Sequence, residues 1–192
     1  MKGYKEQGQT HLLWKETSRK KLLECRIFDV YSVNRISPEG KNADFVLLDT
    51  PDWVTIIPLL DDSVGESFVM VRQFRQGEGE LTVEFPAGTV DEGENPEDTA
   101  QRELLEETGY SAGSIVSLGE VNSNPAFLNN RVHTFLATGL KKIQEQSPDI
   151  HEYLDVLIVP LEEVIREMGR GPYLSGISMI SLFWYLRWKN EV

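Results

Sequence analysis

Three glutamates lie at a spacing that places them on one side of a helix. They are Glu103, Glu106 and Glu107, and at about 100° per residue their side chains fall within an arc of roughly 100°. Like charges three and four residues apart destabilise a helix, so we expect a compensating cation. Mg²⁺ and Mn²⁺ prefer carboxylate oxygens as ligands. The spacing therefore favours a divalent metal site, although such a cluster alone is also typical of a solvated helix face.

The flanking residues predict the helix that positions these carboxylates, from Pro96 to Thr108. Asn95 is a good N-cap, and proline suits the first helical position. Gly109 can adopt the left-handed conformation that ends a helix. The side chains predicted to pack occupy the neighbouring arc. They are Ala100, Leu104, Leu105 and Thr108.

The rest of the chain is interpreted as short strands separated by turns, with two further helices. The predicted strands are 24–33, 45–48, 54–60, 68–74, 81–85, 114–118, 132–137 and 153–159, and the further helices are 161–168 and 177–189. Strands interleaved with three helices predict a mixed α/β layer architecture. The turn chemistry of 37–42 indicates a small antiparallel sheet at the N-terminus. We therefore expect an N-terminal appendage, 1–50, and a main domain, 51–192.

Composition excludes several classes of protein. The 192 residues carry 31 acidic against 19 basic side chains, a net charge of −12 that would repel nucleic acid. The basic cluster Arg19-Lys20-Lys21 is interpreted as a solvated turn or helix end. A single cysteine, Cys25, excludes an intramolecular disulfide and a cysteine-based zinc cluster. No signal peptide or long apolar run is visible, so we expect a cytoplasmic protein that does not span a membrane.

The segment from Gly88 to Tyr110 resembles the Nudix box, Gly-x5-Glu-x7-Arg-Glu-U-x-Glu-Glu-x-Gly-U, where U is bulky and aliphatic or aromatic. All nine specified positions are filled, by Gly88, Glu94, Arg102, Glu103, Leu104, Glu106, Glu107, Gly109 and Tyr110. The residues before the box, Glu-Phe-Pro-Ala-Gly, are similar to those of the ADP-ribose pyrophosphatase branch. Pro125 follows Gly109 by sixteen residues, as in that branch. The chain thus resembles the ADP-ribose pyrophosphatases of the Nudix hydrolase family.

This resemblance implies a Nudix-type α/β/α sandwich with a mixed sheet, preceded by a small antiparallel sheet that serves homodimerisation and base binding. It implies hydrolysis, with Mg²⁺ or Mn²⁺, of ADP-ribose or a related nucleoside diphosphate sugar to a nucleoside monophosphate and a sugar phosphate. One alternative is a nucleoside triphosphate pyrophosphohydrolase, against which the N-terminal sheet and Pro125 weigh. The other is a non-catalytic nucleotide-binding module, which commonly lacks box carboxylates that are present here.

The resemblance also implies roles for individual residues around the box. The metal ligands would be the Ala87 carbonyl group and the carboxylates of Glu103, Glu106 and Glu107. Arg102 is expected to orient a box carboxylate, and Glu94 to anchor the preceding loop to the helix.

The general base is expected in the loop 144–152. Glu152 is the first candidate and Asp149 the second, whereas in other Nudix branches the base corresponds to Glu103. The catalytic residues would then be Glu152, Glu106 and Glu103.

Substrate contacts are expected from Arg75, Glu84, Pro125 and Asn130, with the Arg75 guanidinium binding phosphate oxygens. Asn130 stands where the branch often has a glutamate, which leaves another nucleoside diphosphate sugar open as substrate. Aromatic side chains of the N-terminal sheet could stack on a base, namely Trp14, Phe28 or Tyr31. His133 is interpreted as structural.

Overall fold

The computed structural model describes residues 10–62, 65–148 and 150–190. These residues divide into two compact units. One contains residues 10–50 together with Asn124–Asn130, and the other contains the described residues of 51–123 and 131–190. Asp149, the second candidate for the general base, lies outside the described residues.

The first unit is a three-stranded antiparallel sheet after a short 3₁₀ turn, Thr10–Leu12. Its strands are β1 (Lys15–Glu24), β2 (Asp29–Ile36) and β3 (Asn42–Asp49), in that order across the sheet. The segment Asn124–Asn130 joins this unit through β3, where the Leu48 N–H donates to the Phe127 carbonyl at 2.8 Å.

Two predictions for this unit are wrong. The predicted strand 24–33 contains a turn, closed by a hydrogen bond from the Cys25 N–H to the Phe28 carbonyl at 3.1 Å. The basic cluster 19–21 lies within β1 rather than in a turn or helix end. Every side chain of β1 is exposed. The strand therefore lacks the alternation of buried and exposed residues by which a strand is recognised in a sequence, and its pairing with β2 defines it instead.

The second unit is built on a mixed sheet of seven strands. They are β4 (Trp53–Asp62), β5 (Gly65–Arg75), β6 (Glu80–Glu84), β7 (Ala87–Thr89), β9 (Ser114–Val121), β10 (Val132–Thr138) and β12 (Leu154–Pro160). The main path runs β12-β5-β4-β10-β9, with β6 paired to β5 and β7 to β4. Only β4 and β10 pair in parallel among these described strands. Two short strands, β8 (Tyr110–Ser111) and β11 (Lys141–Lys142), form a separate ribbon.

Helices cover both faces of the seven-stranded sheet: α1 (Pro96–Thr108) on one, α2 (Leu161–Glu167) and α3 (Gly176–Trp188) on the other. Successive residues of β4 divide between the faces, as strand geometry requires. Ile56 packs with Leu104 of α1, and Ile57 packs in the cluster that contains Leu182 of α3. Both faces are therefore apolar, which confirms the predicted α/β layers. No helix in the described ranges is both long and apolar enough to span a membrane.

Candidate active site

Helix α1 carries the three glutamates and is bounded by the residues that the sequence indicated. The Asn95 side chain accepts a hydrogen bond from the Glu97 N–H at 3.0 Å, and Pro96 occupies the first turn. Gly109 has φ 74°, and its N–H donates to the Leu105 carbonyl at 2.8 Å. Both ends of α1 are thus fixed by local hydrogen bonds.

The three carboxylates differ in exposure, because α1 turns its acidic side partly toward the sheet. Glu107 is 3% exposed, whereas the side chains of Glu103 and Glu106 are 13% and 41% exposed. The helix spacing alone put all three on one acidic side, and it did not reveal that Glu107 is buried. Its burial follows from the packing of α1 against β7, which helical spacing alone does not specify.

Glu107 is held by the backbone that precedes the box. Its Oε2 accepts a hydrogen bond from the Ala87 N–H at 3.1 Å. Burial raises the pKa of Glu107 well above its ordinary value, and the charge of Glu103 raises it further, while the Ala87 N–H acts in the opposite direction. One backbone hydrogen bond therefore does not compensate for the burial of this carboxylate.

Gly88 allows α1 to approach β7 closely at this point. A Cβ atom placed on Gly88 would lie 2.1 Å from both Cδ and Oε1 of Glu103. No side chain fits there unless the Glu103 carboxylate moves. The glycine thus places the Glu103 carboxylate directly over the backbone beside Ala87.

Arg102 forms hydrogen bonds with three carboxylates of the box, those of Glu94, Glu103 and Glu106. The family resemblance implied such a contact with one box carboxylate. Its Nε and Nη2 donate to the two oxygens of Glu94 at 3.2 and 3.1 Å. Its Nη1 donates to Glu103 at 2.8 Å and to Glu106 at 3.0 Å. These bonds lower the pKa of Glu94 to about 2 and raise the pKa of Arg102. Glu94 therefore anchors the preceding loop to α1 through Arg102.

The negative charge of Glu103 is nevertheless only partly compensated by Arg102. Burial raises the pKa of Glu103 to about 7 even though the charge and hydrogen bond of Arg102 lower it, and the charges of Glu106 and Glu152 act in the same direction as burial. At neutral pH the site therefore holds two carboxyl groups, Glu103 and Glu107, whose ionised forms are destabilised by the surrounding protein.

These groups fit a hard divalent cation. In the described ranges, no group of three or more acidic, histidine or cysteine side chains is arranged so that it could already hold a metal ion. Arg102 forms hydrogen bonds with two of the three box carboxylates, Glu103 and Glu106. A cation would stabilise the ionised forms that burial disfavours, and oxygen ligands suit Mg²⁺ and Mn²⁺. The oxygen donors of Glu103 and Glu107 therefore fit a divalent cation by their chemistry.

A second polar cluster lies where β5 meets β6. Nε and Nη2 of Arg75 donate to the two oxygens of Glu84 at 3.0 and 2.7 Å, and the Thr82 hydroxyl donates to Glu84 Oε1 at 2.5 Å. Glu84 is buried, whereas the Arg75 side chain is 44% exposed. The sequence did not single out Thr82 as part of the site. Its position two residues before Glu84 nevertheless puts both side chains on one face of β6.

The Arg75–Glu84 pair remains ionised and oriented. Burial acts to raise the pKa of Glu84, but the Arg75 hydrogen bonds and charge outweigh it, so that pKa lies below its ordinary value. Burial likewise acts to lower the pKa of Arg75, and Glu84 outweighs it. The hydrogen bonds to Glu84 engage Nε and Nη2 of Arg75. A guanidinium group can also bind the oxygens of an anion such as phosphate through its N–H groups.

The structure brings Glu152 toward the same carboxylates, although it is distant from them in sequence. Glu152 is exposed and precedes β12 by two residues. Its negative charge raises the pKa of Glu103 and Glu107 and that of Arg75. Glu152 is therefore within electrostatic reach of both polar clusters.

The other predicted residues lie in the first unit or serve packing. Pro125 is exposed and Asn130 is buried in the segment Asn124–Asn130. Trp14 packs edge-on against Phe45, with ring centroids 5.3 Å apart. The remaining aromatic candidates are Tyr31, whose ring lies under Arg19 and Lys21, and the partly buried Phe28.

His133, interpreted from the sequence as structural, contacts two carboxylate groups. Its Nε2 lies 3.2 Å from Asp52 and its Nδ1 3.5 Å from Glu120. It thus connects β10 to the start of β4 and to β9.

Comparisons with known proteins bear on the family. The family model of the NUDIX domain matches residues 50–174. The chain is 32% identical over 153 residues to the ADP-ribose pyrophosphatase of Bacillus subtilis (strain 168), over 79% of this chain and 81% of that protein. It is 32% identical over 130 residues to a methanol dehydrogenase activator of Bacillus methanolicus, over 67% of this chain and 69% of that protein.

A solved crystal structure of an ADP compounds hydrolase covers 94% of this chain and 96% of its own, with a TM-score of 0.81 and 22% identity. At that identity the likeness concerns the fold alone. Together with the mixed sheet between helices and the three-stranded N-terminal sheet, it confirms the predicted fold class.

Proposed function

Because this chain belongs to the Nudix family, we propose that it is a divalent-metal-dependent pyrophosphohydrolase that acts on ADP-ribose or a related nucleoside diphosphate sugar. The products would be a nucleoside monophosphate and a sugar phosphate. The observation that carries the proposal is the pair of poorly compensated carboxyl groups, the partly buried Glu103 and the buried Glu107. The guanidinium of Arg75, which is anchored by Glu84, is close enough to Glu107 for its charge to act on that carboxyl group. The name of the Bacillus subtilis relative supports the substrate class.

Nudix hydrolases generally depend on divalent metals, and we propose Mg²⁺ or Mn²⁺ here. The ligands would be the Ala87 carbonyl and the carboxylates of Glu103, Glu106 and Glu107. When bound, the cation supplies neutralisation of phosphate charge and a water of lowered pKa. Arg102 orients Glu103 and Glu106 from the outer side of α1, and the Ala87 N–H orients Glu107.

The phosphate contact is assigned to Arg75. Glu84 fixes the guanidinium plane by two hydrogen bonds and uses both oxygens to do so, which favours a positioning role for Glu84 over direct contact with substrate. We also propose Pro125 and Asn130 as substrate contacts, a role that the family resemblance implies for them.

Glu152 is the proposed general base. It is exposed to water and close enough to the box carboxylates for its charge to act on them. Glu103, the position that corresponds to the base in other Nudix branches, is the alternative, because a pKa of about 7 is matched to proton transfer at neutral pH. The metal-ligand role competes with that function, since a ligand carboxylate must stay ionised.

A homodimer and a cytoplasmic location complete the proposal. The division into 1–50 and 51–192 would then separate a dimerising, base-binding appendage from the hydrolase domain. Large apolar side chains are exposed on the three-stranded sheet, including Leu22, Leu23, Phe45 and Val46. A second copy of the chain would cover them. The single free cysteine suits the reducing cytoplasm.

The test is a panel of ADP-ribose, other nucleoside diphosphate sugars and nucleoside triphosphates, incubated with Mg²⁺ or with chelator. We expect metal-dependent release of nucleoside monophosphate from the sugar nucleotides. Glu107→Gln should reduce turnover by at least about 10³-fold, because it removes a proposed metal ligand. Glu97→Gln, an exposed glutamate of the same helix, should not. Pyrophosphate release from triphosphates alone would overturn the substrate class, and binding without turnover would support a non-catalytic module.

A further inference from the structure

We propose that Gln146 is a positioning residue for the reaction: its side chain connects the segment before Glu152 to the first residue of β12, and this connection holds Glu152 in place. The inference rests on the proposed role of Glu152 as general base. It concerns how a residue in an exposed loop keeps a defined place relative to α1.

The loop begins as a cap on the C-terminal end of α1. The last carbonyl groups of a helix have no partner within the helix. Here the Glu106 carbonyl accepts a hydrogen bond from the Ser147 N–H at 2.8 Å, and the Gly109 carbonyl accepts from the Ile143 N–H at 3.0 Å. Residues 143–147 are therefore fixed to the helix that carries the box carboxylates.

Gly109 makes this close approach possible. Its φ of 74° lies in the left-handed region, and a Cβ at this position would lie 2.1 Å from the Gln144 carbonyl oxygen. A residue with a side chain would separate the helix end from the loop. The glycine that ends α1 therefore also allows residues 143–147 to lie close to the end of the helix.

The Gln146 side chain connects these residues to β12. Its partly buried side chain donates from Nε2 to the Leu154 carbonyl oxygen at 2.9 Å. Leu154 is the first residue of β12 and is buried. The hydrogen bond therefore joins two points of the chain that are eight residues apart. The first point is Gln146, whose neighbour Ser147 is hydrogen-bonded to α1, and the second point is Leu154, in the sheet. Glu152 lies two residues before the second point.

Two apolar side chains that flank Glu152 are exposed, Ile150 and Tyr153, each by 86%. The packing of these two side chains therefore does not hold the segment, and the Gln146 hydrogen bond is a described contact that can. Glu106 is a proposed metal ligand, and its backbone carbonyl accepts the hydrogen bond from Ser147. The same residue would therefore bind the metal through its side chain and hold residues 143–147 through its backbone.

The decisive variant is Gln146→Met, which keeps the length of the side chain and removes the donor. Its matched control is Gln144→Met, which makes the same change at an exposed position of the same segment. We expect kcat to fall about tenfold or more in Gln146→Met, because small displacements of a catalytic group are costly. KM and the metal concentration for half-maximal rate should stay within about twofold of wild type, and Gln144→Met should behave as wild type.

A double-mutant cycle separates positioning from a general structural effect. If Gln146 acts through Glu152, Gln146→Met should change the residual rate of Glu152→Gln by less than about twofold. An equal loss of kcat in both backgrounds would overturn the inference. A Gln146→Met enzyme with wild-type kcat would overturn it as well.

Hydrogen exchange tests the same inference without catalysis. Gln146→Met should raise the exchange rate of amides 150–154 above that of Gln144→Met, while the amides of α1 keep theirs. Unchanged exchange in 150–154 would overturn the fastening role even if the enzyme is active. If wild type hydrolyses no substrate, the proposed function fails, whereas raised exchange would still establish Gln146 as the fastening residue.

Discussion

Replacement of Glu103 by glutamine should stabilise the metal-free protein at alkaline pH. The pKa of this carboxyl group is raised from 4.5 to about 7, chiefly by burial, even with Arg102 hydrogen-bonded to it. A folded-state pKa above the unfolded value gives stability that is fully present below the unfolded pKa and is lost as pH rises through the folded pKa. Glutamine has no such loss, and its carbonyl oxygen can still accept from Arg102.

The magnitude follows from linkage. With pKa values of 4.5 unfolded and about 7 folded, ionisation of Glu103 reduces the free energy of unfolding by about 1 kcal/mol at pH 5 and about 3 kcal/mol at pH 8. Most of the loss therefore falls between pH 5 and pH 7.5. Glu103→Gln should exceed wild type by a margin that grows over this window.

The assay is urea denaturation in the presence of chelator, at half-unit steps from pH 5 to pH 8.5, with the m-value checked for constancy. The control is Glu97→Gln, in the exposed first turn of α1. It should lose a few tenths of a kcal/mol, because a negative charge near the helix N-terminus is favourable. A Glu103→Gln protein that is no more stable than wild type at pH 8 would refute the reasoning that this carboxylate is poorly compensated.

Three further predictions concern the same site. Mg²⁺ should raise the melting temperature of wild type more at pH 8 than at pH 6, since the ligands must be ionised to bind; equal shifts would contradict the assignment of Glu103. Arg75→Lys should lower kcat/KM for the sugar nucleotide by about tenfold or more, because an ammonium group cannot keep the bidentate bond to Glu84; unchanged steady-state kinetics would contradict it. Gly88→Ala should cost about 1–3 kcal/mol in urea denaturation and reduce activity, because the new methyl group displaces the Glu103 carboxylate; full activity would show that the close approach is dispensable.

Local signals were sufficient to predict the bounds of α1. Asn95, Pro96 and Gly109 act within one turn of the helix they bound, so their types determined where it begins and ends. Strands interleaved with three helices likewise made a layered α/β architecture the expected arrangement. The Nudix box added the order of the carboxylates along α1.

Local signals failed for β1 and for the shortest strands. The side chains of β1 are exposed along its whole length, so its hydrogen bonds to β2 define it, and these involve residues of another segment. Strands of two or three residues, such as β8 and β11, are too short to show any alternation.

The sequence by itself determined which groups are available for chemistry: three glutamates at helical spacing, an arginine before them and a glycine at each end of the box. Tertiary structure decided their chemical state. Burial of Glu107 against Ala87, the anchoring of Arg75 by Glu84 and the approach of Glu152 to the box all join residues from different elements. Helix caps and spacing depend on neighbours along the chain, whereas burial and charge compensation depend on which distant segments pack together, and only the folded chain specifies that.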